Sequence, residues 1–266
     1  MSGLRWEYQD RRALAALVFV DALGARVQAP VEVSAPGLRL LRKRPGELVV
    51  MGATGLEAHD VFEAPPGAPS VGAVAVPLDI RPAARGLGAR RFLLRLPRDP
   101  AISDPLPADS LFRPVEIPLL PAPGATPTGL VAAVSVTLRH GLDGRRIEGA
   151  LIRCAPDGGR PIARALTDAA GEAMLLIPGV PVSVPGPAAT VLPDLGATLS
   201  AIVDPALVRF HREEELDVAR DTARRRRDGF LDPDDIEARL AGAATPATPL
   251  RIAAGRLRKA SLSWTP

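Results

Sequence analysis

Residues Val131–Pro181 read VAAVSVTLRHGLDGRRIEGALIRCAPDGGRPIARALTDAAGEAMLLIPGVP. Leu130, Ala132, Val134, Val136 and Leu138 alternate with smaller or polar residues. Such a period of two predicts a strand with one buried face. Gly141-Leu142-Asp143-Gly144 supplies turn residues that tolerate positive φ. A second apolar run, Ala150 to Cys154, is turned back by Asp157-Gly158-Gly159. Ile162 to Leu166 reads as a third strand, Thr167 to Glu172 as a turn, and Ala173 to Ile177 as a fourth strand closed by Pro178-Gly179. Short strands at close spacing with turn chemistry between them predict a small antiparallel sandwich.

The order strand, Asp-Gly, Ile-x-Gly-Ala, strand, Gly-rich turn, Thr-Asp-x-x-Gly-Glu, strand, Pro-Gly resembles the carboxypeptidase regulatory-like (transthyretin-like, Ig-like) β-sandwich family. The match covers residues 130–182, and Thr167-Asp168 with Gly171 is its most specific part. The resemblance implies a scaffold or adhesion module. It brings no catalytic motif with it.

Composition narrows the choices. A chain of 266 residues holds one large or two medium domains. With aromatics at 3%, its core must be built from Leu, Val, Ala and Ile. The 29 prolines and 24 glycines are spread along the chain and punctuate many short elements. Lys43 and Lys259 are the lysines, so the net charge of +3 rests on arginine. An arginine bias of this kind reflects genome composition before it reflects nucleic acid. One cysteine, Cys154, excludes an internal disulfide and reads as a small apolar core residue.

Arg11-Arg12 followed by Ala13–Val20 has the outline of a signal peptide, but Glu7 and Asp10 sit in the would-be positive region and Asp21 follows the apolar run. The run is also too short to span a bilayer. It reads instead as a buried strand, and the expectation is cytoplasmic synthesis without a signal peptide. A weak internal repeat agrees. Sliding the chain by 120 residues lays Gly24 on Gly144, Arg26 on Arg146 and Val27 on Ile147. A later slip lays Gly46-Glu47 on Gly171-Glu172.

The predicted architecture is therefore mainly β: two tandem Ig-like or transthyretin-like sandwiches with a helical insertion. Residues 1–12 form an N-terminal arm. Residues 13–120 form the first sandwich, with strands near Val31–Val33, Leu38–Leu41, Leu48–Met51, Val71–Ile80, Arg91–Leu96 and Leu111–Leu120. Pro77 marks the Val71–Ile80 run as an edge strand. Residues 121–129, rich in proline, form an extended linker. Residues 130–203 and 249–266 form the second sandwich. Residues 204–248 form the insertion, with one helix opening at Asp204-Pro205 and a second at Asp232-Pro233.

Sites of chemistry are sparse. His59, His140 and His211 lack ligand spacing and read as solvated or loop histidines. Asp157 and Asp168 sit where turns want aspartate. No phosphate loop, nucleophile elbow or dinucleotide fingerprint is present. The expectation is a non-enzyme with no catalytic, cofactor or metal residues. Candidate partner contacts are Trp6, Tyr8, Arg224, Arg225, Arg226, Arg227 and Trp264, the terminal aromatics docking either on a neighbouring subunit or on the chain's own core. The arginines read as a solvated helix end or a contact to an acidic protein. The expected partners are other protein subunits, with no nucleic acid, no membrane insertion and no small-molecule substrate. Adhesion-type sandwiches without an export signal suggest, by fold-level analogy, a subunit of a phage-tail-like, contractile-injection-type particle at its baseplate, fibre-attachment or decoration surface, released from the cell with that particle. The alternative is a monomeric ligand- or carbohydrate-binding accessory module.

Overall fold

A computed structural model describes residues 12–60, 66–101, 107–157, 159–160, 162–181, 194–218, 230–243 and 245–266. The chain is mainly β. Its N-terminal half runs β1 (Ala15–Val20), β2 (Val31–Ser34), β3 (Leu38–Arg44), β4 (Glu47–Ala53), β5 (Val74–Pro82), β6 (Arg90–Leu96) and β7 (Val115–Pro118), with a 3-10 turn at Glu57–Asp60. The C-terminal half runs β8 (Ala132–His140), β9 (Arg146–Glu148), β10 (Leu151–Pro156), β11 (Ala163–Leu166), β12 (Glu172–Ile177), β13 (Leu195–Ile202), β14 (Arg209–His211), α1 (Pro233–Arg239), β15 (Ala247–Ile252) and β16 (Leu257–Trp264).

Among the described residues the strands form four sheets, ordered β3-β4-β1-β7, β2-β5-β6, β11-β10-β13-β15 and β12-β8-β9-β14, with β16 pairing on β8. One core draws Leu17, Phe19 and Val50 from the first sheet and Leu78, Ile80 and Leu94 from the second. The other draws Ile152, Cys154 and Leu199 from the third and Val136, Leu175 and Leu262 from the fourth. Alternation makes this work, because each strand sends every second side chain inward. Each fully buried Leu, Ile or Phe contributes about 1.5–3 kcal/mol.

Both halves follow one pairing scheme. β1 pairs antiparallel with β4 and parallel with β7. β8 pairs antiparallel with β12 and parallel with β16. Glu47 stands opposite Val18, and Glu172 opposite Thr137. Gly46 and Gly171 precede these glutamates with φ of 72° and 67°. An added Cβ would collide with the Val27 carbonyl oxygen at the first position and with the Leu138 carbonyl oxygen at the second. Glycine is required at both for the close approach as well as for φ. The schemes part at the edge strands: β3 pairs with β4, whereas β11 pairs with β10.

Two expectations change, at β5 and in residues 204–248. β5 is central to its sheet despite Pro77, because β2 covers only Asp79–Pro82 and leaves the proline's other flank without a ladder. Residues 121–129, read as an extended linker, are tied down near their start. Gly88 N donates to Leu120 O (2.8 Å), Ala122 N to Gly86 O (3.0 Å), and Ala125 packs with Ala133 and Met174 of the C-terminal half. The segment 204–248 is only partly helical. Asp204 Oδ1 accepts from Ala206 N (3.0 Å), but the turn it caps runs into β14, because Val208 and Phe210 pack on the C-terminal core and β14 finds a ladder on β9. Glu213–Glu215 is a 3-10 turn, residues 216–218 are helical, and 219–229 lie outside the described residues. α1 begins where the sequence placed it, on Asp232, whose side chain accepts from Asp234 N.

Candidate functional site

The two halves meet at the start of α1. Arg90 opens β6 and is fully buried. Its Nε donates to Arg91 O (3.0 Å) and its Nη1 to Pro118 O (2.8 Å), which fixes the guanidinium within the N-terminal half. Its Nη2 then reaches across to Asp234 Oδ2 (2.7 Å) and Asp232 Oδ1 (3.4 Å). Asp234 is held from the other side by Arg164 of β11 at 2.7 Å. Glu237, one turn further along, takes Arg164 (2.9 Å) and Arg153 of β10 (3.2 Å). Arg91 N also donates to Leu231 O at 2.8 Å. A short acidic helix is thus bolted between cations of both halves. Burial works to raise the Asp234 carboxyl, but Arg90 and Arg164 outweigh it and hold it below the ordinary carboxylate range. Burial likewise lowers Arg164, and Asp234 and Glu237 overcome it, raising the guanidinium.

Beside this bolt the halves enclose a groove of about 700 Å³. Its ionisable lining is Arg81, Arg91, Glu148, Asp168 and Arg209. Most of these groups already serve the fold. Arg91 clasps Asp79 at 2.7 and 3.1 Å. Glu148 Oε2 lies 2.6 Å from His211 Nε2, so that nitrogen carries a proton. Asp168 Oδ1 accepts from Ala170 N (2.9 Å) and Glu172 N (3.0 Å), the turn role expected of it. Arg81 lies over the Phe230 ring, 5.3 Å from its centroid. Arg209 stands exposed on β14, the strand that ends its sheet.

At the far end of β8 a third cluster forms. Trp264 stacks on Phe210 (6.2 Å, 28°), and His140 lies edge-on to Phe210 at 5.4 Å. Arg145 lies over the Phe210 ring, 4.9 Å from its centroid. His140 Nδ1 sits 2.7 Å from Asp143 Oδ1. That hydrogen bond is the main cause bringing the Asp143 carboxyl down to about 2; burial opposes it, and Arg145 adds to it.

No family model matches the chain. No curated protein matches it either. Among solved structures it is similar to the Bacillus anthracis TIE protein, at 11% identity and a TM-score of 0.28, over 95% of this chain and 34% of that one. The chain thus spans about a third of the length of that protein, and a likeness at this score carries no argument.

Of the expected contact residues, Trp6, Tyr8 and Arg224–Arg227 lie outside the described residues. Trp264 is 9% exposed and packs in the C-terminal core. The histidines were expected to be solvated or loop histidines; His59 lies in the 3-10 turn and His140 ends β8, and both are buried, at 5% and 8% exposure. His59 Nε2 lies 3.3 Å from Ala68 O, and His140 is sealed by the aromatic pair. Among the described residues no group of three or more His, Cys, Asp or Glu side chains could hold a metal ion. Nor is any described helix long and apolar enough to cross a membrane. Arg90 was missed because it reads as one more arginine of the interleaved β6 pattern. The groove was missed because its walls are remote in sequence. Only the Asp232-Pro233-Asp234 helix start pointed toward this region.

Proposed function

We propose that the chain is a non-enzymatic structural and interaction protein built of two tandem β-sandwiches of the transthyretin-like kind. The domains are residues 13–120 and residues 130–203 with 249–266. The repeated pairing scheme of β1, β4 and β7 in β8, β12 and β16 supports the tandem reading. The observation that carries the function is the buried Arg90, whose guanidinium spans the two halves. A chain that commits a buried cation and the N-terminal carboxylates of α1 to fixing one half against the other is organised as a rigid strut. Rigidity of that kind suits a subunit that transmits position within an assembly. The narrower reading is a subunit of a phage-tail-like particle at its baseplate, fibre-attachment or decoration surface, and it rests on analogy of fold.

The test is assembly. The purified chain, or the chain in lysate from its source, should sediment with particles far larger than 27.9 kDa. Recovery solely as a free monomer would sink the proposal. A second reading, a monomeric ligand-binding accessory module, is favoured by the groove between the halves. A glycan or metabolite screen that stabilises the monomer would select it.

A further inference from the structure

β8 has β12 on one flank and β16 on the other, because both pair with its residues 133–137. β16 has no second partner among the described residues, so it ends the sheet. Its register fixes what that free flank carries. Ala133 N donates to Arg256 O (3.0 Å) and Gly141 N to Trp264 O (2.7 Å). In a parallel ladder the N–H and C=O of one residue point to the same side, and the side alternates along the strand. Arg256, Arg258, Ala260, Leu262 and Trp264 therefore turn their main chain toward β8. Leu257, Lys259, Ser261 and Ser263 turn theirs outward, and all four residues are exposed. Strand edges are commonly blunted by shortness, proline or bulges. Three other edges follow that rule: β7 is four residues long and ends in Pro118, β15 carries Pro249, and β3 has register shifts. β16 runs for eight residues with no proline and no register shift. Charge favours one kind of occupant. Arg256 and Lys259 are exposed and their side chains have no partner among the described residues, while Arg258 is held by Asp194 at 3.1 Å. β16 contains no carboxylate, so a second copy laid along it would add cations and neutralise none. At the start of β16 Leu257 is 50% exposed and Leu130, whose carbonyl accepts from Gly255 N (3.0 Å), is 63% exposed.

We propose that the outer edge of β16 takes an extended acidic segment of a partner protein as an added strand. The main chain of the segment pairs with Leu257, Lys259, Ser261 and Ser263. Its carboxylates meet Arg256 and Lys259, and an aliphatic side chain covers Leu257 and Leu130. The proposal deepens the interaction-protein reading and rests on it.

The experiment uses the full chain and a fluorescent octapeptide alternating glutamate and valine, followed by anisotropy. A lysine–valine octapeptide, a single-stranded oligonucleotide and the acidic peptide N-methylated at alternate residues serve as comparisons. N-methylation keeps the charge and removes the main-chain donors. Lys259→Glu reverses an exposed charge, and Ser261→Pro removes an outward N–H while sparing the ladder to β8. Unchanged thermal melting confirms that each variant folds. Should Ser261→Pro fail that check, the N-methylated peptide makes the same test from the other side. The acidic peptide should bind the parent saturably and slow amide exchange at Lys259 and Ser261. Each variant, and N-methylation, should weaken binding by about tenfold or more, and added salt should weaken it further. No binding, equal binding of the lysine peptide or the oligonucleotide, or binding indifferent to N-methylation would overturn the proposal. So would a peptide-independent dimer that Ser261→Pro dissolves, because the occupant would then be a second copy. If the chain assembles into particles and yet ignores the peptide, the edge assignment fails alone. If it binds the peptide and joins no assembly, the function reading fails alone.

Discussion

Replacing Arg90 by methionine keeps most of the buried aliphatic volume and removes the guanidinium that joins the halves. Four hydrogen bonds go with it, to Arg91 O, Pro118 O, Asp232 and Asp234. The Asp232 side chain is only 9% exposed and loses its cation, while it keeps the capping bond from Asp234 N. Asp234 retains Arg164 and is 46% exposed, so water can replace part of what it loses. Breaking one side of a buried pair costs about 3–5 kcal/mol. Because Asp234 can be rescued by solvent, the lower end of that range is expected, with the two orphaned carbonyls adding to it. For a chain of this length that is a fall in Tm of roughly 10 °C. Calorimetry is the assay, because it also reports cooperativity. The parent should melt in one transition, and Arg90→Met in two, as the halves uncouple. Asp235→Asn is the control. It breaks the exposed Arg239–Asp235 pair at 2.8 Å, and exposed pairs of this kind are worth about 0–1 kcal/mol. An Arg90→Met protein that melts as one unit within about 2 °C of the parent would refute the view that this residue fastens the halves.

Acid should loosen the same joint. The folded Asp234 carboxyl lies below its unfolded value of 3.8, so its contribution is complete above that pH and is lost as pH falls through the folded value. Asp143 behaves alike, its contribution fading between 3.8 and about 2. Urea midpoints measured from pH 7 downward should hold until about pH 4 and then drop, and Asp143→Asn should flatten part of the drop. Burial pushes the Cys154 thiol up to about 11, so a thiol reagent at pH 8 should label it only after denaturant is added. Gly171→Ala forces a side chain toward the Leu138 carbonyl at a φ of 67°, and should lower stability by about 1–3 kcal/mol in urea titration. Trp264→Ala empties the slot beside Phe210 and His140, and should cost about 3–5 kcal/mol.

Local pattern carried a large share of the fold. The alternation of Val134, Val136 and Leu138 became β8, and that of Leu48 and Val50 became β4. Gly24, Gly46, Gly144 and Gly171 all take positive φ at the turns where the repeat aligned them. Asp232-Pro233 opened a helix because the capping oxygen and the proline act within three residues. Misreadings arose where a local preference met a distant partner. The charge-rich run after Asp204 favoured a helix, and a ladder to β9 drew residues 209–211 into a strand. Pro77 read as an edge signal, and the shortness of β2 made it tolerable inside a sheet.

The sequence alone determined where the chain alternates, where it turns and that α1 starts at Asp232, because each depends on neighbours a few bonds away. Only the tertiary structure decided that the last strand of each half lies parallel to the first, that Arg90 is buried against carboxylates 142 and 144 residues distant, and that a groove opens beside them. Periodicity records which face of a strand is apolar. It carries no record of which remote charge will meet that strand once water is excluded, and that meeting sets the joint and the groove.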